Sequence, residues 1–254
     1  MQNKFSANLD VYLNAELIGQ LIETDAKELS FEYSSTASRA ISFSMPIAKR
    51  MYSGAQCQAF FGGLLPEGEQ ARRALARRFG ISANNTFSLL KCIGAECAGA
   101  LSIVETGSIS SLALAERDLV KLISEGELAE HIRSLPERPL FVEVGGLRLS
   151  LSGVQDKASV SLTSEGIGIP IDGPTTHILK PDLKQTPGVI YCEHLCMKTA
   201  AHLGLEVAHV QMNKAENEVF LLVERYDRIQ VSNGNRLLRI HPEDFCQALA
   251  IPSW

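Results

Sequence analysis

The sequence predicts an α+β fold in two parts: a small antiparallel sheet domain with helices, then a second antiparallel sheet carrying one main helix. Three observations lead there. Apolar residues recur at every second position within the first fifty residues and again across residues 147–162. Helical spacing is confined to short, bounded stretches. A polar break rich in Gly, Ser and Pro separates the two alternating regions. These signals divide the chain into a first domain at 1–105, a helical connector at 106–138 and a second domain at 139–254.

The elements follow in order. Leu9, Val11 and Leu13 share one parity, as do Leu29, Phe31 and Tyr33, and then Ile41, Phe43 and Met45 before Pro46. Each set reads as a strand with one buried face. A helix is predicted over 66–79, with Pro66 first, Glu67 and Glu69 at the positive end of the dipole, and Arg72, Arg73, Arg77 and Arg78 later. Ala71, Leu75 and Phe79 form its stripe and Gly80 its stop. Mixed Arg and Glu on one helix read as a solvated face rather than a nucleic-acid surface. A second short helix covers Thr86–Ile93.

Gly107, Ser108, Ser110 and Ser111 then break the pattern, and a helical stretch runs from Leu112 to Leu135 before Pro136 and Pro139. Leu147, Leu149 and Leu151 share a face. Ala158, Val160 and Leu162 resume it after Ser152–Lys157, which gives a strand, a glycine-bearing turn and a strand. Thr176–Lys180 is a further strand. A helix from about Gly188 carries a stripe of Cys192, Leu195, Cys196, Thr199 and Leu203, with Gly204 as its stop. Val207–Met212 and Val219–Glu224 complete a strand pair.

With 45% apolar and 21% charged residues in 254, the chain is a folded protein of one large or two ordinary domains. A net charge of −5 and a pI near 5.7 argue against nucleic-acid binding by the chain itself, so any DNA association would come through a partner. No apolar run approaches the ~18 residues of a membrane helix, and the N-terminus has no charged-then-apolar signal pattern. A soluble cytoplasmic protein without membrane contact is expected. The six cysteines include no CxxC pair. Cys192 and Cys196, with His194 and His202 nearby, allow a zinc site to be drawn, but buried thiols in a reducing compartment are the plainer reading.

Singly, the chemical candidates are weak. Gly153 can belong to a loop that covers phosphates with backbone N–H groups, or be a hairpin glycine. Lys180 can reach an anion or lie along the surface at a strand end. Glu193 can pair with Lys180 or be solvated. Neither G-x-x-x-x-G-K-[ST] nor G-x-G-x-x-G occurs. Order is more informative. Gly153, Lys180, Glu193 and the run Leu221–Tyr226 follow the succession of a protein-kinase N-lobe: glycine-bearing loop, lysine strand, glutamate helix, apolar strand into a polar hinge.

Several segments together resemble the HipA family of serine/threonine kinases. Phe60–Gly68 is similar to a signature of that family's N-terminal subdomain, and Ile93–Leu101 to a second. Leu151–Lys157 resembles its phosphate loop and His177–Lys180 its lysine strand. Val223–Arg228 and Arg239–Phe245 are similar to further family motifs. The resemblance implies that Ser152, Gly153, Val154, Gln155, Asp156 and Lys157 contact ATP phosphates, and Lys180 the α/β-phosphates. It places Glu224, Arg225 and Tyr226 at adenine, with Glu193 as the supporting ion pair. Ser150 falls at the family's autophosphorylated serine, where a phosphate would repel ATP. The resemblance also implies a toxin of a toxin–antitoxin module, held by a HipB-like helix-turn-helix antitoxin that carries any DNA contact. Glutamyl-tRNA synthetase is the best-known substrate of the family.

The family's catalytic Asp and Asn and its Mg²⁺ ligands lie beyond the hinge, and only 28 residues follow Tyr226. His241–Asp244 is no H-R-D loop, and Asp244-Phe245-Cys246 lacks the glycine of D-F-G. The expectation is therefore the N-terminal part of such a kinase, with no catalytic residues or metal ligands in this chain and no activity alone. The alternative is a non-catalytic module that binds an antitoxin or a partner kinase lobe.

Overall fold

A computed structural model describes residues 7–108, 119–135, 155–172, 174–230 and 237–252. The first sheet is built from β1 (Ala7–Leu13), β2 (Glu16–Glu23), β3 (Leu29–Tyr33), β4 (Met51–Ser53) and β5 (Leu101–Glu105) in the order β4-β3-β2-β1-β5. Neighbouring strands of this sheet pair antiparallel. Leu9, Val11, Leu13, Leu29, Phe31 and Tyr33 are all buried, so the alternation marks the core face. Helices α1 (Ala55–Gly63), α2 (Glu69–Phe79) and α3 (Thr86–Ile93) accompany it. Phe61 of α1 lies 5.5 Å from Phe31, which meets Tyr33 edge-on at 4.8 Å.

Two readings in this half are corrected. Residues 41–45 alternate but form a turn, with Ile41 and Met45 buried and Phe43 87% exposed. The Tyr33 hydroxyl holds the turn, accepting from Ile41 N at 3.0 Å and donating to Met45 O at 2.6 Å. A phenol inside the core thus takes backbone groups that a neighbouring strand would otherwise satisfy. Helix α2 begins at Glu69, after Pro66. Arg72 is not on its solvated face; it is buried, donating to Pro66 O at 2.6 Å and Gly62 O at 3.2 Å, while Arg73, Arg77 and Arg78 are exposed.

The second sheet takes β6 (Leu119–Leu122), β7 (Ala158–Thr163), β8 (Gly166–Asp172), β9 (His177–Pro181), β10 (Val210–Ala215) and β11 (Glu218–Glu224) in the order β10-β11-β9-β7-β8-β6. Helix α4 (Glu125–Ser134) covers one face, where Leu128, Ala129 and Ile132 pack with Ala158, Leu179, Phe220 and Leu222. Helix α5 (Val189–His202) lies on the other, with Ile190 and Met197 against Val210 and Leu221. The predicted helix over Leu112–Leu135 is corrected too. Leu119–Leu122 is a strand of this sheet, and α4 starts afresh behind a Ser124–Glu127 capping box. A short ladder of β12 (Arg228–Gln230) with β13 (Leu237–Arg239) and the one-turn helix α6 (Phe245–Ala248) complete the described elements.

The stripe assigned to α5 faces outward. Leu195 and Leu203 are 66% and 73% exposed, and Cys192 and Cys196 are exposed as well. Spacing defines a stripe without saying which side is covered; the covered one follows Ile190, Glu193 and Met197. The expectation of buried thiols therefore fails at Cys192 and Cys196. It holds at Cys57 and Cys97, whose thiols burial pushes up to about 12. Native alkylation with mass-spectrometric readout should label Cys192 and Cys196 first and reach Cys57 and Cys97 only on unfolding. Among the described residues no helix is long and apolar enough to cross a membrane.

Candidate functional site

Strand register fixes the side on which Lys180 emerges. On β9, Leu179 lies opposite both Ala158 of β7 and Leu222 of β11, and all three belong to the core under α4. Lys180 lies opposite Leu221, which belongs to the core under α5. Because successive residues alternate sides, Lys180 points toward α5. There its Nζ meets Glu193 Oε1 at 2.6 Å, with the two side chains 20% and 27% exposed. The helix face that buries Ile190 and Met197 is the one that carries Glu193.

Lys157 joins this pair. Extending the Ala158–Leu179 register by one residue sets Lys157 opposite Lys180. Burial lowers the affinity of the Lys157 ammonium for its proton and the charge of Lys180 lowers it further, while Glu67, Glu193 and Asp156 oppose both. Burial raises the Asp156 carboxyl, with Lys157 opposing. Gln155 Nε2 reaches Pro181 O at 3.3 Å, so residues 155–157 lie along the end of β9. Two ammonium groups crowd one face with Glu193 beside them, and a polyanion there would relieve their mutual repulsion. Ser150, Ser152, Gly153 and Val154 lie outside the described residues.

The three positions assigned to adenine do not act alike. Glu224 closes β11 opposite His177, its N–H donating to His209 O at 2.9 Å, and its side chain is exposed. Tyr226 is 74% exposed. Arg225 between them is 5% exposed, and its N–H donates to Thr176 O at 3.0 Å. Its guanidinium grips Asp227 with two bonds of 2.9 and 2.7 Å and donates to Thr175 Oγ1 at 3.0 Å. The Arg225 side chain is therefore committed to the interior, and Glu224 and Tyr226 alone present side chains at this edge.

That interior network is what motif order did not reveal. Glu96, 1% exposed, accepts from Thr175 N and Oγ1 at 3.1 Å each and from Arg228 Nη2 at 2.8 Å. Asp227 Oδ2 also accepts from Gly99 N at 2.9 Å. Arg239 donates to Leu101 O at 3.1 Å and Ser102 Oγ at 2.9 Å. Glu96, Gly99, Leu101 and Ser102 belong to the first half of the chain, and their partners to the second. The signal lay in charged residues inside three of the family-like motifs, Ile93–Leu101, Val223–Arg228 and Arg239–Phe245.

Burial alone would raise the Asp227 carboxyl, but the hydrogen bonds from Arg225, the charges of Arg225 and Arg228 and the Gly99 N–H outweigh it and hold it at about 2, against 3.8 unperturbed. A depressed carboxylate stabilises the fold above its unfolded value and loses that contribution as pH falls toward its folded one. The stability attributable to Asp227, on the order of 2 kcal/mol, should therefore vanish between about pH 4 and 2. Urea midpoints against pH should show that decline in the native chain and a flatter profile in Asp227→Asn.

A lysine on an interior strand of an antiparallel sheet, paired with a glutamate on the helix beside it, defines a kinase-like N-lobe. Comparison with known proteins makes this specific. Residues 9–104 match the HipA N-terminal domain family, and residues 149–254 match the HipA-like C-terminal domain family. The second half, expected as a piece of the family's N-terminal part, thus falls under the domain described as C-terminal. Y4mE of Sinorhizobium fredii is 37% identical over 252 residues, covering 96% of this chain and 59% of that protein. The serine/threonine-protein kinase toxin HipA of Shewanella oneidensis is 32% identical over 196 residues, covering 76% of this chain and 43% of that one. The solved Shewanella oneidensis HipA, in complex with HipB and operator DNA, superposes with a TM-score of 0.76 at 27% identity, over 96% of this chain and 57% of that one. The chain belongs to the HipA family, and it spans little more than half the length of these relatives, or less.

Proposed function

We propose that this chain supplies the ATP-facing N-lobe of a cytoplasmic HipA-type serine/threonine kinase toxin. The observation that carries the proposal is the Lys180–Glu193 pair at 2.6 Å on the face that Lys157 shares. In a kinase such a pair orients the lysine toward the α/β-phosphates. Residues Ser152–Lys157 would cover the phosphates, and Glu224 and Tyr226 would flank adenine. Phosphorylation of Ser150 would set a second anion beside the ATP phosphates and switch binding off. We assign Mg²⁺ and the residues that transfer the phosphoryl group to the length of the relatives beyond the match, because in a kinase those residues follow the hinge. The partner would be a HipB-like antitoxin, which would carry the DNA contact. The substrate would be a protein serine, with glutamyl-tRNA synthetase as the first candidate.

The test uses the purified chain with labelled Mg-ATP and glutamyl-tRNA synthetase. Saturable ATP binding without transfer of label is the expected result. Absence of binding would remove the nucleotide role, and robust transfer by this chain alone would overturn the assignment of the transfer residues elsewhere.

A further inference from the structure

Three guanidinium groups and two carboxylates meet where the two halves of the chain join, and their positions tie them to one end of the nucleotide site. Glu96 Oε1 is shared by Thr175 and Arg228, with Arg225 Nη1 3.8 Å away. Asp227 is shared by Arg225, Arg228 and the Gly99 amide. Gly99 is held at φ 70°, and a Cβ on it would lie 2.4 Å from Pro242 Cδ, so the backbone of the two halves is in direct contact. Arg225 is anchored through its side chain to this cluster and through its N–H to Thr176, while the side chains of Glu224 and Tyr226 on either side of it are exposed. Lys180 and Glu193 are held elsewhere, by strand register and by the packing of Ile190 against Leu221.

The geometry points to Glu96 and Asp227 as positioning residues for the adenine edge: through Arg225 and Arg228 the first domain holds the strand end Glu224–Tyr226 in place. This rests on the ATP reading above and assigns a job that the phosphate-facing residues do not perform. A carboxylate is needed at 96. With Glu96 neutralised, Arg225 and Arg228 would be left with Asp227 and Arg239 would lose the charge of Glu96, and the cost of burying unpaired charge would be relieved by displacing Arg225, the middle residue of that edge.

The test compares two ligands in the whole chain. ATP spans both ends of the site, whereas inorganic tripolyphosphate reaches only the lysine end. Thr175→Val removes the hydroxyl that bridges Arg225 and Glu96 while every charge stays, and Glu96→Gln removes the charge. Thr175→Val should weaken ATP about tenfold, the equivalent of ~1.4 kcal/mol, with tripolyphosphate affinity unchanged. Glu96→Gln should weaken ATP further with the same selectivity. Should Glu96→Gln fail to fold by circular dichroism, Thr175→Val decides alone. Equal loss of both ligands, or no loss of ATP in a folded variant, would overturn the positioning role. Failure of the native chain to bind either ligand is a distinct result that removes the nucleotide reading itself and this inference with it.

Discussion

Arg225→Met should destabilise the chain by about 3–5 kcal/mol, read as a shift in urea-denaturation midpoint without change in slope. The residue is 5% exposed, and its guanidinium makes two bonds to Asp227, one to Thr175 and a long one of 3.5 Å to Ser159, with Glu96 nearby. Methionine fills much of the volume but leaves Asp227 with one guanidinium partner, Arg228, rather than two. The loss therefore comes mostly from halving the guanidinium pairing of a buried anion rather than from opening a cavity. Surface pairs on the same molecule behave differently. Lys27 with Glu23 at 2.8 Å has its lysine side chain 72% exposed. Removing that lysine should change stability by less than about 1 kcal/mol, because water already solvates it.

Lys180→Ala should weaken ATP by about a hundredfold while leaving the fold intact. Its side chain is 20% exposed and that of its partner Glu193 27% exposed, so water reaches the carboxylate left behind and no fully buried charge is stranded. A charge-assisted contact to a polyphosphate contributes about 1.5–3 kcal/mol, and a hundredfold change corresponds to ~2.7 kcal/mol. Isothermal titration of both proteins measures the difference. Glu193→Gln is the companion variant. It keeps the helix face but releases Lys180, and its ATP affinity should fall less than that of Lys180→Ala.

Some of this was legible in the sequence because it depends on neighbours along the chain. Period-two alternation identified β1 and β3, and the succession of loop, lysine, helix and apolar strand placed Lys180 and Glu193 before any contact was known. The misreadings have physical causes. Ile41, Phe43 and Met45 alternate as a strand does, but a buried Tyr33 hydroxyl claims the backbone on either side of Phe43. Cys192, Leu195 and Leu203 share a helical stripe, yet α5 rests on Ile190 and Met197. Arg225 is a separate case: the resemblance set it at adenine with Glu224 and Tyr226, and the structure adds that its side chain belongs to a cluster whose partner Glu96 lies 129 positions earlier. Contacts over that distance leave no periodicity to find. What the sequence did hold was an Arg and an Asp two apart just past the close of an apolar strand.

In the proposed role Lys157 and Lys180 share one face and receive the phosphates of ATP. Lysine acetylation by a water-soluble reagent, quantified by mass spectrometry with and without Mg-ATP, tests it most directly. The labelling of Lys157 and Lys180 should fall together in ATP, while exposed Lys27 and Lys214 keep their reactivity. Equal labelling of Lys180 with and without saturating ATP would contradict it.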